Sequence, residues 1–304
     1  MNNMTKEEAL QFAHYNVREL KNLPDTLKND KDFFLEAVKI NASSFYFASN
    51  SLKEDRDYVI KLLNVNGACL EYAISKLRDD EQVVLESVKD NKSSFIYASE
   101  RIKNSKPLAL KLVKECGSFL SFVSKQLQND KEVVMEAVKN YAYSLRDASQ
   151  TLKGDREVVL EAVKQDSWVL QFVSEALKGD KEVVMAAVQQ GGDALVYASE
   201  ELKADRDVVM AAVKQNGLAL EDASEELRAD RDVVIAAVRE HGKSLRVASE
   251  ALRGDREVVM EAVKKDGLAL YYASKELRGD EEVVREAVKQ NPSASYYYYW
   301  VPFK

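Results

Sequence analysis

Apolar side chains recur along the chain in a fixed order. In residues 203–227 a first group follows helical spacing, a polar break comes next, and a second group follows at i, i+3 and i+7; the two groups are Val208, Val209, Ala212, Val213 and then Leu220, Ala223, Leu227. Both spacings are typical of short amphipathic helices. Because Asn216-Gly217 lies between the groups, the pattern predicts two short helices joined by a break.

This stretch repeats every 25 residues without a gap. Aligned units begin at Lys28, Lys53, Arg78, Lys103, Gln128, Lys153, Lys178, Arg228 and Arg253, in addition to Lys203. Positions are numbered within a unit, so that Lys203 is position 1 and Leu227 is position 25. The sequence predicts a degenerate N-terminal capping repeat over residues 1–27, ten tandem repeats over 28–277, and a broken repeat with an aromatic tail over 278–304.

A single unit has too few core side chains to offset the entropy of ordering 25 residues. Stacked neighbours must therefore supply the remaining burial, and we predict an all-α fold, an α-solenoid of about twelve helix-turn-helix repeats. Position 3 of a unit is nearly always Asp, as in Asp180 and Asp205, which predicts an N-cap at the start of the first helix.

The recurring order Asp-Arg-Glu-Val-Val-x-x-Ala-Val-x-x-x-Gly-x-x-Leu-x-x-Ala-Ser-x-x-Leu resembles the repeat family catalogued as domain of unknown function 4116. The resemblance covers nearly the whole chain and is strongest from Gln128 to Asn291. It implies an array of helical repeats, of a kind found in bacterial, protist or viral proteins. It implies no activity and supplies no catalytic residues.

Composition narrows the classes of function. Lys and Arg number 44 against 51 Asp and Glu, and this net charge of −7 argues against nucleic acid as the partner. Only two Cys and two His are present, too few and too scattered for a disulfide framework or a metal site, and we expect no cofactor. The polar N-terminus and the lack of a long apolar run predict a cytoplasmic protein that does not enter a membrane.

Enzyme signatures are missing from the sequence. Position 22 carries Ser in most units, as at Ser199 and Ser224, but it lies on the predicted apolar stripe. We therefore expect a small packing residue whose hydroxyl bonds a carbonyl four residues earlier, and not a nucleophile. His14 and His241 each depart from the repeat alone, which favours solvated surface side chains. The chain is accordingly predicted not to be an enzyme.

Variation among the units indicates where a partner would bind. Positions 16, 19 and 20 vary most, and position 20 is aromatic in most units. Two interpretations stay open: the rings pack between successive repeats, or they form a ladder that contacts a peptide or protein. The candidate partner-binding residues in the array are Tyr72, Tyr97, Tyr143, Trp168, Phe172, Tyr197, Tyr271 and Tyr272.

The C-terminal segment departs most from the repeat, since aromatic residues replace the second helix. These residues are Tyr296, Tyr297, Tyr298, Tyr299, Trp300 and Phe303. They either seal the last repeat, form an exposed interaction site, or serve as the substrate of a modifying enzyme. The unit 103–127 also departs in charge, with five Lys against one Glu, which suggests either a solvated basic face or an anchor for an acidic partner.

The sequence thus predicts a non-enzymatic scaffold. It would bind a protein or peptide through its second-helix and inter-helix residues and its aromatic tail. A structural protein that self-associates through the tail is the alternative, as is a repeat leader whose Tyr- and Trp-rich tail is modified.

Overall fold

The structure is a computed structural model that describes residues 4–298. Over this range the fold is an all-α repeat solenoid, as predicted. Each unit begins with a long α-helix. These helices are Lys6–Tyr15, Lys31–Ile40, Arg56–Leu63, Glu81–Asp90, Lys106–Glu115, Lys131–Asn140, Arg156–Val163, Lys181–Gln190, Arg206–Gln215, Arg231–Glu240, Arg256–Lys265 and Glu281–Gln290.

The long helices form for the reasons that the sequence indicates. The carboxylate of Asp205 accepts hydrogen bonds from the backbone N–H groups of Asp207 and Val208 at 3.0 and 3.1 Å, which caps the helix that follows. The same arrangement recurs at Asp180 and Asp230. Positions 6, 7, 10 and 11 are fully buried in this unit, at Val208, Val209, Ala212 and Val213.

The second half of each unit differs from the predicted helix. It is a 3₁₀ helix, then two extended residues, then a single helical turn. The 3₁₀ helices are Val17–Asn22, Ala42–Phe47, Gly67–Tyr72, Lys92–Tyr97, Gly117–Ser121, Ala142–Asp147, Ser167–Phe172, Gly192–Tyr197, Gly217–Asp222, Gly242–Val247, Gly267–Tyr272 and Pro292–Tyr297. The single turns are the α-helices Asp25–Lys28, Asn50–Glu54, Ser75–Arg78, Glu100–Lys103, Gln150–Lys153, Glu175–Lys178, Glu200–Lys203, Glu225–Arg228 and Glu250–Arg253, and the 3₁₀ turns Leu127–Asn129 and Leu277–Gly279.

The serine column explains the interruption, and the prediction that its hydroxyl bonds a carbonyl four residues earlier was wrong. Ser224 has φ −59° and ψ 161°, and its hydroxyl accepts the backbone N–H of Leu227, so it caps the short helix. Its own N–H donates to the carbonyl of Lys203 at 2.9 Å and ties the end of the unit to its start. A residue with these two bonds cannot continue a helix. Leu220, Ala223 and Leu227 nevertheless reach the core, as the spacing predicted.

In the units that have glycine at position 15, the next unit packs so closely that there is no room for a Cβ. A Cβ on Gly217 would lie 2.2 Å from the carbonyl oxygen of Ala237 in the next long helix, and one on Gly267 would lie 2.2 Å from that of Ala287. Neither glycine has a positive φ. The requirement is therefore for space and not for an unusual backbone conformation.

Ion pairs also join consecutive units. The cation at position 4 reaches the N-cap Asp and often the acid two residues beyond it in the next unit: Arg206 contacts Asp230 and Asp232 at 2.9 and 3.0 Å. The same bridge is made by Lys31, Arg56, Lys106, Arg156, Lys181, Arg231 and Arg256.

The chain divides into two compact parts, Met1–Val133 and Val134–Lys304. The boundary falls inside the helix Lys131–Asn140 and not in a linker. Within the described residues each part contains the same three-element unit, in which long helices pack on long helices and 3₁₀ helices pack on 3₁₀ helices.

Candidate partner-binding surface

Large apolar side chains that remain exposed concentrate on the 3₁₀ helices. Most of them occupy unit positions 16 and 19, in both compact parts. They are Tyr46 and Ile96 in the first part, and Trp168, Val196, Leu218, Tyr271 and Tyr296 in the second. We call these residues together with position 20 the 3₁₀ ridge.

Side chains of consecutive units meet along this ridge at a spacing of 29 residues. The rings of Trp168 and Tyr197 make a T-shaped contact with centroids 5.9 Å apart, and those of Tyr143 and Phe172 do the same at 5.9 Å. In each pair a position-16 side chain touches the position-20 ring of the next unit. The structure therefore brings these four sequence-predicted residues together as two separate pairs.

The two open interpretations of position 20 each describe part of the structure. Every described residue at this position is half-buried, the rings of Tyr72 and Tyr197 included. One side of the ring packs between units, while the neighbouring position 19, such as Tyr46 or Tyr271, stands in solvent. The aromatic side chains of the ridge therefore have one face buried between units and one face that a partner can reach.

Polar contacts also join consecutive units along the ridge. The hydroxyls of Ser43 and Tyr72 lie 3.0 Å apart, again 29 residues apart in sequence. Tyr97 lies within hydrogen-bonding distance of Glu71, which together with partial burial raises the pKa of its hydroxyl. These phenols are thus neutral hydrogen-bonding groups at physiological pH.

Tyr271, Tyr272 and Tyr297 form the densest group on the ridge. The ring centroid of Tyr271 lies 5.1 Å from that of Tyr272 and 5.1 Å from that of Tyr297. With Lys243 and Leu268 they line a recess of about 240 Å³. Tyr296 is 86% exposed and Tyr298 is also exposed, whereas the predicted site residues Tyr299, Trp300 and Phe303 lie outside the described residues.

The outer surface of the long helices has a different character. It carries the ion pairs that join the units, and further pairs such as Arg239 with Glu261 at 2.7 Å. Several of its charged groups therefore pair with one another across the units. The ridge, by contrast, presents rings and aliphatic side chains whose outer faces meet no other part of the described chain.

Sequence reasoning left Tyr46 and Leu218 out of the candidate residues. Tyr46 packs against Phe47 and Tyr72, and the ammonium group of Lys53 lies 5.3 Å from the centre of its ring. Both residues occupy the variable positions 19 and 16. An apolar residue at position 16 or 19 could have identified both residues. That signal requires knowing that the second half of the unit is a 3₁₀ helix, in which these positions face solvent.

Other kinds of site were sought over residues 4–298. No group of three or more His, Cys, Asp or Glu side chains is arranged to hold a metal ion in that range. Both cysteines there are free. No helix in the described part of the chain is long and apolar enough to cross a bilayer.

Comparison with known proteins supports the repeat. The family model described as domain of unknown function (DUF4116) matches residues 6–53, 55–103, 105–153, 155–203, 205–253 and 255–300. Each match spans two of the 25-residue units defined above. No curated protein and no solved structure matches the chain.

Proposed function

The chain belongs to the DUF4116 repeat family, and from that premise we propose that it is a non-enzymatic scaffold that binds a protein or peptide partner along the 3₁₀ ridge. The proposal rests on one observation: exposed apolar side chains and ion-paired charged side chains occupy different parts of the protein surface. Among the described residues most exposed large apolar side chains lie on the 3₁₀ helices, with Tyr15 and Ile40 at the ends of two long helices as exceptions, while the long helices carry the ion pairs that join the units. Exposed apolar patches on a folded protein mark interaction sites.

The ridge has the composition of a protein interface. Tyr and Trp contribute large contact areas with few rotatable bonds, and they dominate the energetic centres of interfaces. Trp168 is held by Tyr197, and Tyr271 is held by Tyr272 and Tyr297, so these anchors lose little further freedom when a partner binds. We propose a cytoplasmic location, and the free thiols of Cys69 and Cys116 support it, since free thiols are typical of a reducing compartment.

A capture experiment with matched variants tests the proposal. Full-length protein serves as bait in native lysate beside a ridge variant, Trp168→Lys with Tyr271→Lys, and a control, Gln189→Lys with Gln215→Lys, whose side chains are exposed on long helices. Both variants add two positive charges. We expect a partner that the wild type and the control retain, and that the ridge variant binds about tenfold less tightly, as for the loss of an interface anchor.

The outcomes separate the ridge from its alternatives. Equal binding by the wild type and the ridge variant would refute a partner site on the ridge. A bait that ends at Asn291 and loses the partner would place recognition in the C-terminal segment. Light scattering at several protein concentrations tests self-association, because a mass that rises with concentration would favour that alternative.

A further inference from the structure

A cleft of about 470 Å³ opens between the long helices Glu81–Asp90 and Lys106–Glu115, and none of its lining residues belongs to the 3₁₀ ridge. Its apolar wall consists of Leu85, Val88, Leu112 and Phe119. Its polar wall consists of Gln82, Glu86, Lys89, Lys92, Lys111, Glu115 and Cys116. This volume is in the range that holds a small organic ligand.

Lys92 is a large side chain at a position where most other units have Gly, Ala or Ser. It occupies position 15. At this position Gly67 and Gly217 lie so close to the position-10 carbonyl of the next long helix that a Cβ would not fit. The residue at that position 10 is Leu112, where most units have the smaller Ala. Both substitutions add volume at one junction, and the two helices contact each other far less than Arg231–Glu240 and Arg256–Lys265 do.

The ion pair that usually joins consecutive units is also missing at this junction. Position 4 is Glu81 instead of Lys or Arg, and the N-cap of the next helix is Ser105 instead of Asp. Ser105 makes no side-chain capping hydrogen bond. Both partners of the usual ion pair are therefore replaced at the junction where the cleft lies. Four departures from the repeat, Glu81, Lys92, Ser105 and Leu112, coincide there.

The charges around the cleft leave a single positive excess. Three lysines face two glutamates, and Lys89 is paired with Glu86 at 2.7 Å. The ammonium group of Lys92 donates to the sulfur of Cys116 at 3.1 Å. Partial burial opposes ionisation of this thiol, but hydrogen bonds from Ser118 and Lys92 outweigh burial and hold its pKa below the ordinary value.

We propose that this cleft binds a small amphipathic monoanion, a carboxylate with an aliphatic or aromatic body. The body would lie between Leu85, Leu112 and Phe119, and the carboxylate would accept hydrogen bonds from Lys92 and Lys111. The one surplus positive charge matches one carboxylate, and the apolar wall matches a ligand of several carbons. The site is separate from the 3₁₀ ridge and does not depend on the function proposed for it.

Octanoate is a suitable probe, and Cys116 reports its binding. Full-length protein is titrated with octanoate by calorimetry, and alkylation of Cys116 by iodoacetamide is followed by mass spectrometry with and without the probe. Cys69 is an internal reference, because burial raises the pKa of its thiol to about 12 and keeps it unreactive. We expect saturable binding and about tenfold slower alkylation of Cys116, because the bound ligand covers the thiol.

Two variants, a control variant and a neutral analogue test the geometry and the charge. Lys92→Gly restores the residue that closes other junctions, and it should abolish both octanoate binding and protection. Lys111→Gln keeps the cleft and should weaken binding up to about fivefold, as for loss of an exposed ion pair. Ser167→Gly makes the corresponding change in another unit and should leave binding unchanged. 1-Octanol, which lacks the charge, should protect Cys116 less than octanoate.

Circular dichroism and the urea midpoint confirm that each variant is folded. Octanoate that neither binds the wild type nor slows alkylation of Cys116 would overturn the proposal. Binding that persists in folded Lys92→Gly would also overturn it, because the ligand would then lie elsewhere. Equal protection by 1-octanol would contradict the assignment of an anion.

Discussion

Arg206 joins two consecutive units through Asp230: its Nε donates to Asp230 Oδ2 at 2.9 Å. The other oxygen of that carboxylate caps the next helix by accepting the N–H groups of Asp232 and Val233. One aspartate therefore both starts a helix and fixes its distance from the preceding unit. The recurrence of this relationship along the chain explains why position 3 varies so little.

The two roles of Asp230 can be separated by mutation. Asp230→Ala removes the cap and the ion pair, and it should lower the free energy of unfolding by about 1 kcal/mol, the usual contribution of an N-cap. Arg206→Ala should have a smaller effect, because half of its side chain is exposed and the pair is screened. Urea unfolding followed by circular dichroism measures both. Equal losses for the two variants would contradict the primacy of the cap.

The stability of the chain should depend on pH through the same carboxylates. The guanidinium of Arg206 and the capping N–H groups hold the pKa of Asp230 below its usual range, and Asp80, Asp180 and Asp205 are lowered similarly. This stabilisation is complete above the unfolded pKa of about 4 and is lost as the pH falls through the folded-state pKa values. We expect the urea midpoint to fall steeply below pH 4.

Asp222 should show the opposite dependence. Burial raises its pKa, helped by the negative charges of Glu221 and Asp193, although Lys203 opposes the shift. Folding therefore favours the protonated form, so that ionisation of Asp222 lowers stability as the pH rises through its folded-state pKa. Asp222→Asn should raise the urea midpoint at pH 7 and leave it unchanged near pH 3. A variant that is less stable than the wild type at pH 7 would contradict this account.

The first half of each unit could be predicted from sequence because its causes are local. Val208, Val209, Ala212 and Val213 follow one helical stripe, and Asp205 immediately precedes it. The second half could not, because Ser224 satisfies helical spacing while its hydroxyl favours a new helix start. When a capping residue falls in register with an apolar stripe, periodicity alone does not reveal the interruption.

Contacts between units were beyond the reach of the pattern for another reason. The pairing of Trp168 with Tyr197 depends on how far one unit is displaced from the next. The sequence identified both residues as candidates but not the spacing of 29 that connects them. The ion pairs between units did leave a signal in the sequence. The usual cation at position 4 and the usual Asp at position 3 of the next unit are replaced together, by Glu81 and Ser105, which indicates that the two positions are partners.

The aromatic ladder predicts reciprocal changes in stability. Tyr197→Val removes a ring that contacts Trp168 and should cost about 1–2 kcal/mol, from lost burial and the ring–ring contact. Val247→Tyr makes the reverse change at the equivalent position. Its ring would occupy part of a recess lined by Arg228 and Ala248, bury apolar surface there and raise the urea midpoint. A lower midpoint for Val247→Tyr would show that this position does not accept a ring.

Two glycines provide the sharpest test of how the units pack. Gly217→Ala places a Cβ 2.2 Å from the carbonyl oxygen of Ala237, so the backbone must shift and we expect a loss of about 1–3 kcal/mol. Gly179→Ala meets nothing closer than 3.5 Å, and φ at this residue is −96°. Its equivalent in the next unit is already Ala204. Alanine there restricts the unfolded chain without strain, and we expect a gain of about 0.4–1 kcal/mol. Because both variants add one methyl group, urea unfolding that shows changes of the same sign would refute close approach at position 15 as the cause.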